Sequence, residues 1–363
     1  MNGVTAMCPR SLDSTPLRSH VSLAEGKRWS ATTAASSLLT MLAGLSSVHA
    51  EQPSTAPSVE PATVVGSLES TFGVHPGQRR NHIKGTCAVG EFVGNQAATK
   101  VSRSGLFSGR SIPVVARFSL SGGNPDVSDA ARSVRGMALE FRLSDGNRQH
   151  MTMINAPVFG AANPASFNAM ILASKPDPRT GKPDPQKLRD FLASHPDAIA
   201  LTKFVSSHNP PVSYANSSYF GVHTFKFIDS TGTVHPVKWR FVPRDGEKSL
   251  TDAEIKTAPH DFLEQRLIER VSRGPAQWDM VVQLGEPGDP QDNPTLQWPE
   301  SRKRITAGTL TITQAMPQHG AECEKINFDP LVMADGIEPT NDPVLLFRSP
   351  AYAISFAKRL SGR

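Results

Sequence analysis

The sequence predicts an α+β domain, with antiparallel strands curling into a barrel-like sheet and helices packed around it and at its C-terminal end. Two observations predict it. Runs of alternating apolar and polar residues, bounded by turn residues, dominate the middle of the chain. Helical patterns with their own start and stop signals fall between and after them, while no GxGxxG, phosphate-binding loop or internal repeat appears. At 363 residues the chain can bury a substantial core, as one large domain or two small ones.

Taken in order, residues 1–50 read as an export signal. Lys27-Arg28 precede an apolar and small-residue run from Ala31 to Val48. It ends Val48-His49-Ala50, a small-x-small cleavage pattern before Glu51. The mature protein is therefore expected in the periplasm. Residues 51–67, rich in Pro, Ser, Thr and Ala, read as a linker, with the folded domain over 68–363. Ser111 to Leu120 reads as a strand with Val115, Arg117 and Ser119 on one face and Ala116, Phe118 and Leu120 on the other. Val134 to Leu143 is a second, ended by the turn Ser144-Asp145-Gly146-Asn147, and Met151 to Phe159 a third. His223 to Phe227 and Val237 to Val242 flank a hairpin turn at Ser230-Thr231-Gly232, and Thr309 to Thr313 is a late strand. Helices are expected at Pro164–Ala173, Pro185–Ser194, Ala198–Ser206, Asp252–Lys256, Phe262–Arg273 and Pro343–Leu360. Asp342 suits the cap of the last, Pro343 its first position and Gly362 its stop, and Pro350 is expected to bend or break it.

Of the net charge of +5, the first fifty residues contribute +2 (four Lys/Arg against two Asp/Glu), leaving +3 for the rest. No basic run stands out, so nucleic acid is not an expected partner. No other segment approaches a membrane span, so no stable insertion is expected once the leader is removed. Cys8 lies in the leader; Cys87 and Cys323 remain. These two are free to pair in an oxidising compartment, although their spacing does not establish a bridge. The absence of CxxC, CxxCH or a Cys/His cluster disfavours zinc and covalently attached haem.

The strongest chemical signal is near the C-terminus. Arg348 stands one helical turn before Tyr352 in an apolar stretch, and residues four apart on a helix are neighbours. An arginine held there favours the phenolate. One use for a buried tyrosinate is as the anionic ligand of haem iron. Arg359 continues the same face at a step of seven. The spacing alone also fits an ordinary amphipathic helix whose arginine pairs with a distant acid. A second candidate is His82, which follows Arg79-Arg80 and precedes the small-residue run Gly85 to Gly90. Small residues let a flat ligand or another backbone approach closely, but such a histidine can equally be structural. The third is the polar Arg117/Ser119 face inside a strongly β-forming run, expected where a strand lines a pocket for a polar or anionic ligand.

Together these residues resemble the catalase superfamily. The matching motifs are Arg-x-x-His-x-Lys-Gly (Arg79 to Gly85), Val-x-Arg-Phe-Ser (Val115 to Ser119), Arg-x-x-Arg-Gly (Arg132 to Gly136), Pro-Val-Phe (Pro157 to Phe159), His-Thr-Phe-Lys (His223 to Lys226) and Arg-x-x-x-Tyr (Arg348 to Tyr352). They occur in the family's order, and the resemblance is closest to the short, exported catalase-related peroxidases. It implies a catalase-like antiparallel barrel and non-covalent haem b (heme b). It also implies roles: Tyr352 as iron ligand, Arg348 beside its phenolate, and Asp342 and His223 behind that pair. His82 would be the acid–base, oriented by Ser119. Arg79, Arg117 and Arg359 would neutralise the haem carboxylates, and Phe118 and Phe167 would pack on the porphyrin. The family's further catalytic asparagine would fall at Ile154; Asn155, one residue late, takes that role only if a bulge turns it into the pocket.

The function so implied is reduction of hydrogen peroxide or organic hydroperoxides with small organic electron donors, by a monomer or small homo-oligomer. Weak true catalase activity, rearrangement of a fatty hydroperoxide and non-catalytic haem carriage are the alternatives. A carrier needs an axial ligand but no base, so the presence of both His82 and Tyr352 favours the enzyme.

Overall fold

The structure, a computed structural model, describes residues 59–362. The expected leader and the start of the expected linker lie outside them. Nine strands form one antiparallel sheet: β1 (Gly85–Gly94), β2 (Ser111–Leu120), β3 (Arg135–Arg142), β4 (Arg148–Ile154), β5 (Tyr219–Ile228), β6 (Val234–Pro243), β7 (Ala276–Leu284), β8 (Arg304–Pro317) and β9 (Ile337–Pro339). Their order is β4-β3-β2-β1-β8-β7-β6-β5, and the pairing of Ile154 with Phe220 joins β4 to β5, closing an eight-stranded barrel to which β9 is added along β5. Inward side chains of alternate residues fill it, among them Phe92, Phe118, Phe141, Tyr219, Phe241 and Trp278, all fully buried. The helices are α1 (Pro61–Phe72), α2 (Gln96–Thr99), α3 (Pro164–Ala173), α4 (Pro185–Ser194), α5 (Ile199–Ser207), α6 (Asp252–Thr257), α7 (Leu263–Ser272), α8 (Glu322–Lys325) and α9 (Pro343–Leu360).

Three expectations are corrected. Residues 61–67 are not linker: they begin α1, with Pro61 in its first turn and Val64, Val65 and Leu68 buried on one stripe. The stripe packs α1 on α9 and α3. The third strand ends at Ile154, short of Pro157, which has no N–H to continue a ladder. Helix α9 is continuous through Pro350. The proline deprives the Leu346 carbonyl of its partner, but Leu346 is exposed, so water can take that bond.

Strand β1 was absent from the sequence reading because Gly85-Thr86-Cys87-Ala88-Val89-Gly90 has little intrinsic β preference. Pairing with β2 on one side and β8 on the other makes it a strand, with a bulge between Val89 and Gly90. Cys87 of β1 and Cys323 of α8 form a disulfide, with 5.6 Å between their Cα atoms.

Candidate active site

A cavity of about 1370 Å³ of empty space, part of it continuous with solvent, lies between β2–β4 and helices α1, α3 and α9. Its lining includes His82, Ser119 and Arg117, from β2 and the segment before β1, and Arg348 and Tyr352 of α9. Its remaining walls are largely apolar, with Val64, Leu68, Phe159, Phe167, Phe328 and Phe347 among them.

His82 precedes β1 and is the one non-glycine residue with a left-handed backbone among the described residues, at φ 53°. Such a conformation costs on the order of 1–3 kcal/mol and persists where the surroundings enforce it. The enforcing group is Asn81, whose Oδ1 accepts both the His82 N–H (2.9 Å) and the Gly122 N–H (2.8 Å). The ring then meets Ser119, with 3.0 Å between Nδ1 and Oγ. Position 136 must be glycine for this pair: a Cβ there would sit 2.8 Å from Ser119 Oγ and 3.0 Å from His82 Nδ1. Enclosure by protein, then the charges of Arg117, Arg348 and Arg79, push the His82 imidazole down to about 3. It stands neutral across the physiological range.

On α9, Arg348 Nη2 donates to Tyr352 Oη at 2.6 Å and to Thr152 Oγ1 at 2.7 Å. Its Nη1 faces His223 Nε2 at 3.1 Å. A guanidinium only donates, so Nε2 is the bare nitrogen, and the Nδ1–H of His223 donates to Asp342 Oδ2 at 2.7 Å. Burial lowers the His223 pKa and keeps this neutral tautomer. The other oxygen of Asp342 accepts the Val344 and Leu345 N–H groups at 2.8 and 3.1 Å. One buried carboxylate thus caps α9 and anchors the chain of contacts leading to the tyrosine.

Three more arginines gather beside the cavity. Arg117 donates to the His82 and Ile83 carbonyls and to Gln318 Oε1. Arg79 donates to the Cys323 and Ile326 carbonyls, at 3.1 and 2.7 Å. Arg359 donates to the Ile326 carbonyl, and its Nη1 is buried with no partner among the described residues. These acceptors are neutral, and the arginines repel one another. Burial, then Arg117 and Arg359, pushes Arg79 down to about 8. Burial chiefly pushes Arg117 down to about 10. Among the described residues no carboxylate pairs directly with these buried cations, although the Glu324 charge acts on all three from a distance, and an anion would complete the site. A largely apolar cavity, an arginine-bonded phenol in its lining and guanidinium groups that no carboxylate pairs with directly together fit haem, whose carboxylates would supply the charge.

Two candidates lie elsewhere. Phe118 does not line this cavity: the pleat turns it into the barrel, where its ring lies 5.4 Å from Tyr214 and 5.7 Å from Trp278. Phe167 does line it, with Phe159 at 5.5 Å. Asn155 is not turned inward either. Its Oδ1 accepts the Arg135 N–H at 2.7 Å and it borders a neighbouring cleft, while Ile154 faces the cavity. The apolar wall from α1 was missed from the sequence, where the Pro, Ser, Thr and Ala around Val64, Val65 and Leu68 read as linker.

The catalase family profile matches residues 75–363. This chain belongs to the catalase family. It is 57% identical to the catalase-related peroxidase of Synechococcus elongatus over 307 residues, covering 85% of this chain and 91% of that one. Against the catalase-related peroxidase of Mycolicibacterium paratuberculosis it is 33% identical, covering 82% and 94%. The catalase of Schizosaccharomyces pombe is 32% identical, but only 58% of it is covered. A fungal catalase crystal structure superposes with a TM-score of 0.73 at 25% identity, covering 79% of this chain and 60% of that one. The chain therefore spans about three fifths of the solved catalases it matches, and the catalase fold accounts for its closed barrel with flanking helices.

Proposed function

We propose that this protein is a haem-dependent peroxidase that reduces hydrogen peroxide or organic hydroperoxides with small organic electron donors. The observation that carries this reading is that one largely apolar cavity is lined by both an arginine-bonded tyrosine and a neutral histidine. Tyr352 would hold haem b, and Arg79, Arg117 and Arg359 would meet its carboxylates. The haem would supply the iron at which the peroxide O–O bond breaks and at which the oxidising equivalents are kept for the donor. His82, neutral and free at Nε2, takes the proton from one peroxide oxygen and returns it to the other, so that water or an alcohol departs. Ser119 holds the ring in position. Two electrons and two protons per peroxide complete the reduction. Relatives named catalase-related peroxidase at 57% and 33% identity support the donor-dependent reaction. Ile154 points the same way, because it offers no hydrogen bond to a second peroxide.

The test is direct. Haem-loaded protein is mixed with peroxide and an oxidisable dye while dioxygen is followed in the same cell. Dye oxidation should dominate; rapid dioxygen release with negligible dye oxidation would show a true catalase instead. The pH profile is a second check. A histidine depressed to about 3 is the free base at any higher pH, so the rate should hold from pH 8 to about 4 and fall only as pH approaches 3. A loss centred near 6.5, where an ordinary histidine titrates, would exclude His82 as the base.

Export to the periplasm is part of the proposal. A disulfide between Cys87 and Cys323 is expected of an oxidising compartment. Intact mass of the native protein should correspond to a chain starting near Glu51. A mass that retains Ala31 to Val48 would count against it.

A further inference from the structure

We propose that the Cys87–Cys323 disulfide is a positioning device for the arginines that receive the haem carboxylates, and that it thereby sets how long haem is retained. The inference rests on the haem reading above. The connection from Gln318 to Gly336, between β8 and β9, has as regular structure only the short helix α8. Yet this connection supplies the carbonyls that aim two of the three arginines: Cys323 and Ile326 receive Arg79, and Ile326 receives Arg359. Asn327 and Phe328, next in sequence, form part of the cavity wall.

The other end of the bond is equally well placed. Cys87 pairs in register with Arg117 across β1 and β2, so one covalent link locates all three arginines relative to one another. Both cysteines are buried, in a small apolar cluster with Val115 and Phe328. The three cations repel one another, and apart from the distant Glu324 charge it is the backbone that holds them together. Noncovalent ties also reach this connection, through Gln318 to Arg117, Glu322 to Arg142 and Asp329 to Ser349. All three attach it at other points; at residue 323 the disulfide is the covalent tie, beside the Arg79 hydrogen bond that it would position.

The experiment is a double-mutant cycle on full-length holoprotein, read as the rate of haem transfer to excess apomyoglobin. The variant Cys87→Ala/Cys323→Val removes the link and keeps the apolar cluster filled. In the wild-type background it should speed haem transfer on the order of tenfold, the worth of one charge-assisted hydrogen bond. With Arg79→Ala and Arg359→Ala already present it should change the rate by less than about twofold, because both side chains that this connection aims are gone. Equal acceleration in both backgrounds would mean a general loss of stability and would overturn the proposal, as would no acceleration in the wild-type background. The single substitution Cys323→Ala repeats the comparison with a smaller change in volume. Wild-type protein that takes up no haem defeats the functional reading itself, a result distinct from either of these.

Discussion

Tyr352→Phe should purify with little or no haem while keeping its fold, and this is the largest single effect expected on the cofactor. The substitution removes one oxygen. That oxygen sits 2.6 Å from Arg348 Nη2 and is the one phenolic group on the cavity wall. The groups behind it stay in place: Arg348 keeps Thr152 and His223, and Asp342 keeps its cap on α9. The barrel should therefore melt as the haem-free wild type does, and the loss should be confined to haem. Groups that support a metal ligand typically contribute 10- to 100-fold in affinity. Arg348→Ala should fall in that range, and Tyr352→Phe should exceed it. The haem-to-protein ratio and the ferric absorption spectrum measure both. A Tyr352→Phe protein with full haem and an unchanged spectrum would falsify the assignment of Tyr352 as ligand.

The residues that sequence reasoning found share a property, and so do those it missed. Helix α9 was legible because its cap, proline and period are all local: Asp342, Pro343 and the Arg348/Tyr352 step stand within three turns. Strand β2 was legible for the same reason, its alternation contained in ten residues. The bonds that give these side chains their chemistry are not local. His223 meets Asp342 across 119 positions, and Arg348 meets Thr152 across 196. No period or spacing encodes such distances, and only the resemblance to a family anticipated Asp342 and His223 together behind the tyrosine. Phe118 shows the converse. The alternation of β2 had already placed it opposite Arg117 and Ser119, and the pleat prevails over the role carried across by resemblance. Helix α1 was hidden by composition, because threonine, serine and proline around Val64, Val65 and Leu68 read as linker until the face they pack against is present.

His82→Asn should keep haem and slow its reaction with peroxide by roughly a hundred- to ten-thousand-fold, the usual contribution of a positioned acid–base group. Asparagine is preferred to alanine because the backbone at 82 is left-handed, a conformation that asparagine tolerates and most residues resist. The substitution thus separates loss of the imidazole from collapse of the turn. What remains on that wall cannot replace the base. Ser119 is a weak acid and a weaker base, and Arg117 is committed to the His82 and Ile83 carbonyls and Gln318. Ser119→Ala should cost far less, on the order of tenfold, since it loosens the ring without removing it. The order of effects is itself informative. If His82 only filled space, both substitutions would act weakly and alike; if it moves the proton, His82→Asn must be the slower by at least tenfold. Rapid mixing of each haem-loaded variant with peroxide, followed by absorbance, gives the two rates. A His82→Asn protein that reacts as fast as the wild type would leave the cavity with a haem site but no catalytic base, and the reading of this chain as a peroxidase would give way to that of a haem carrier.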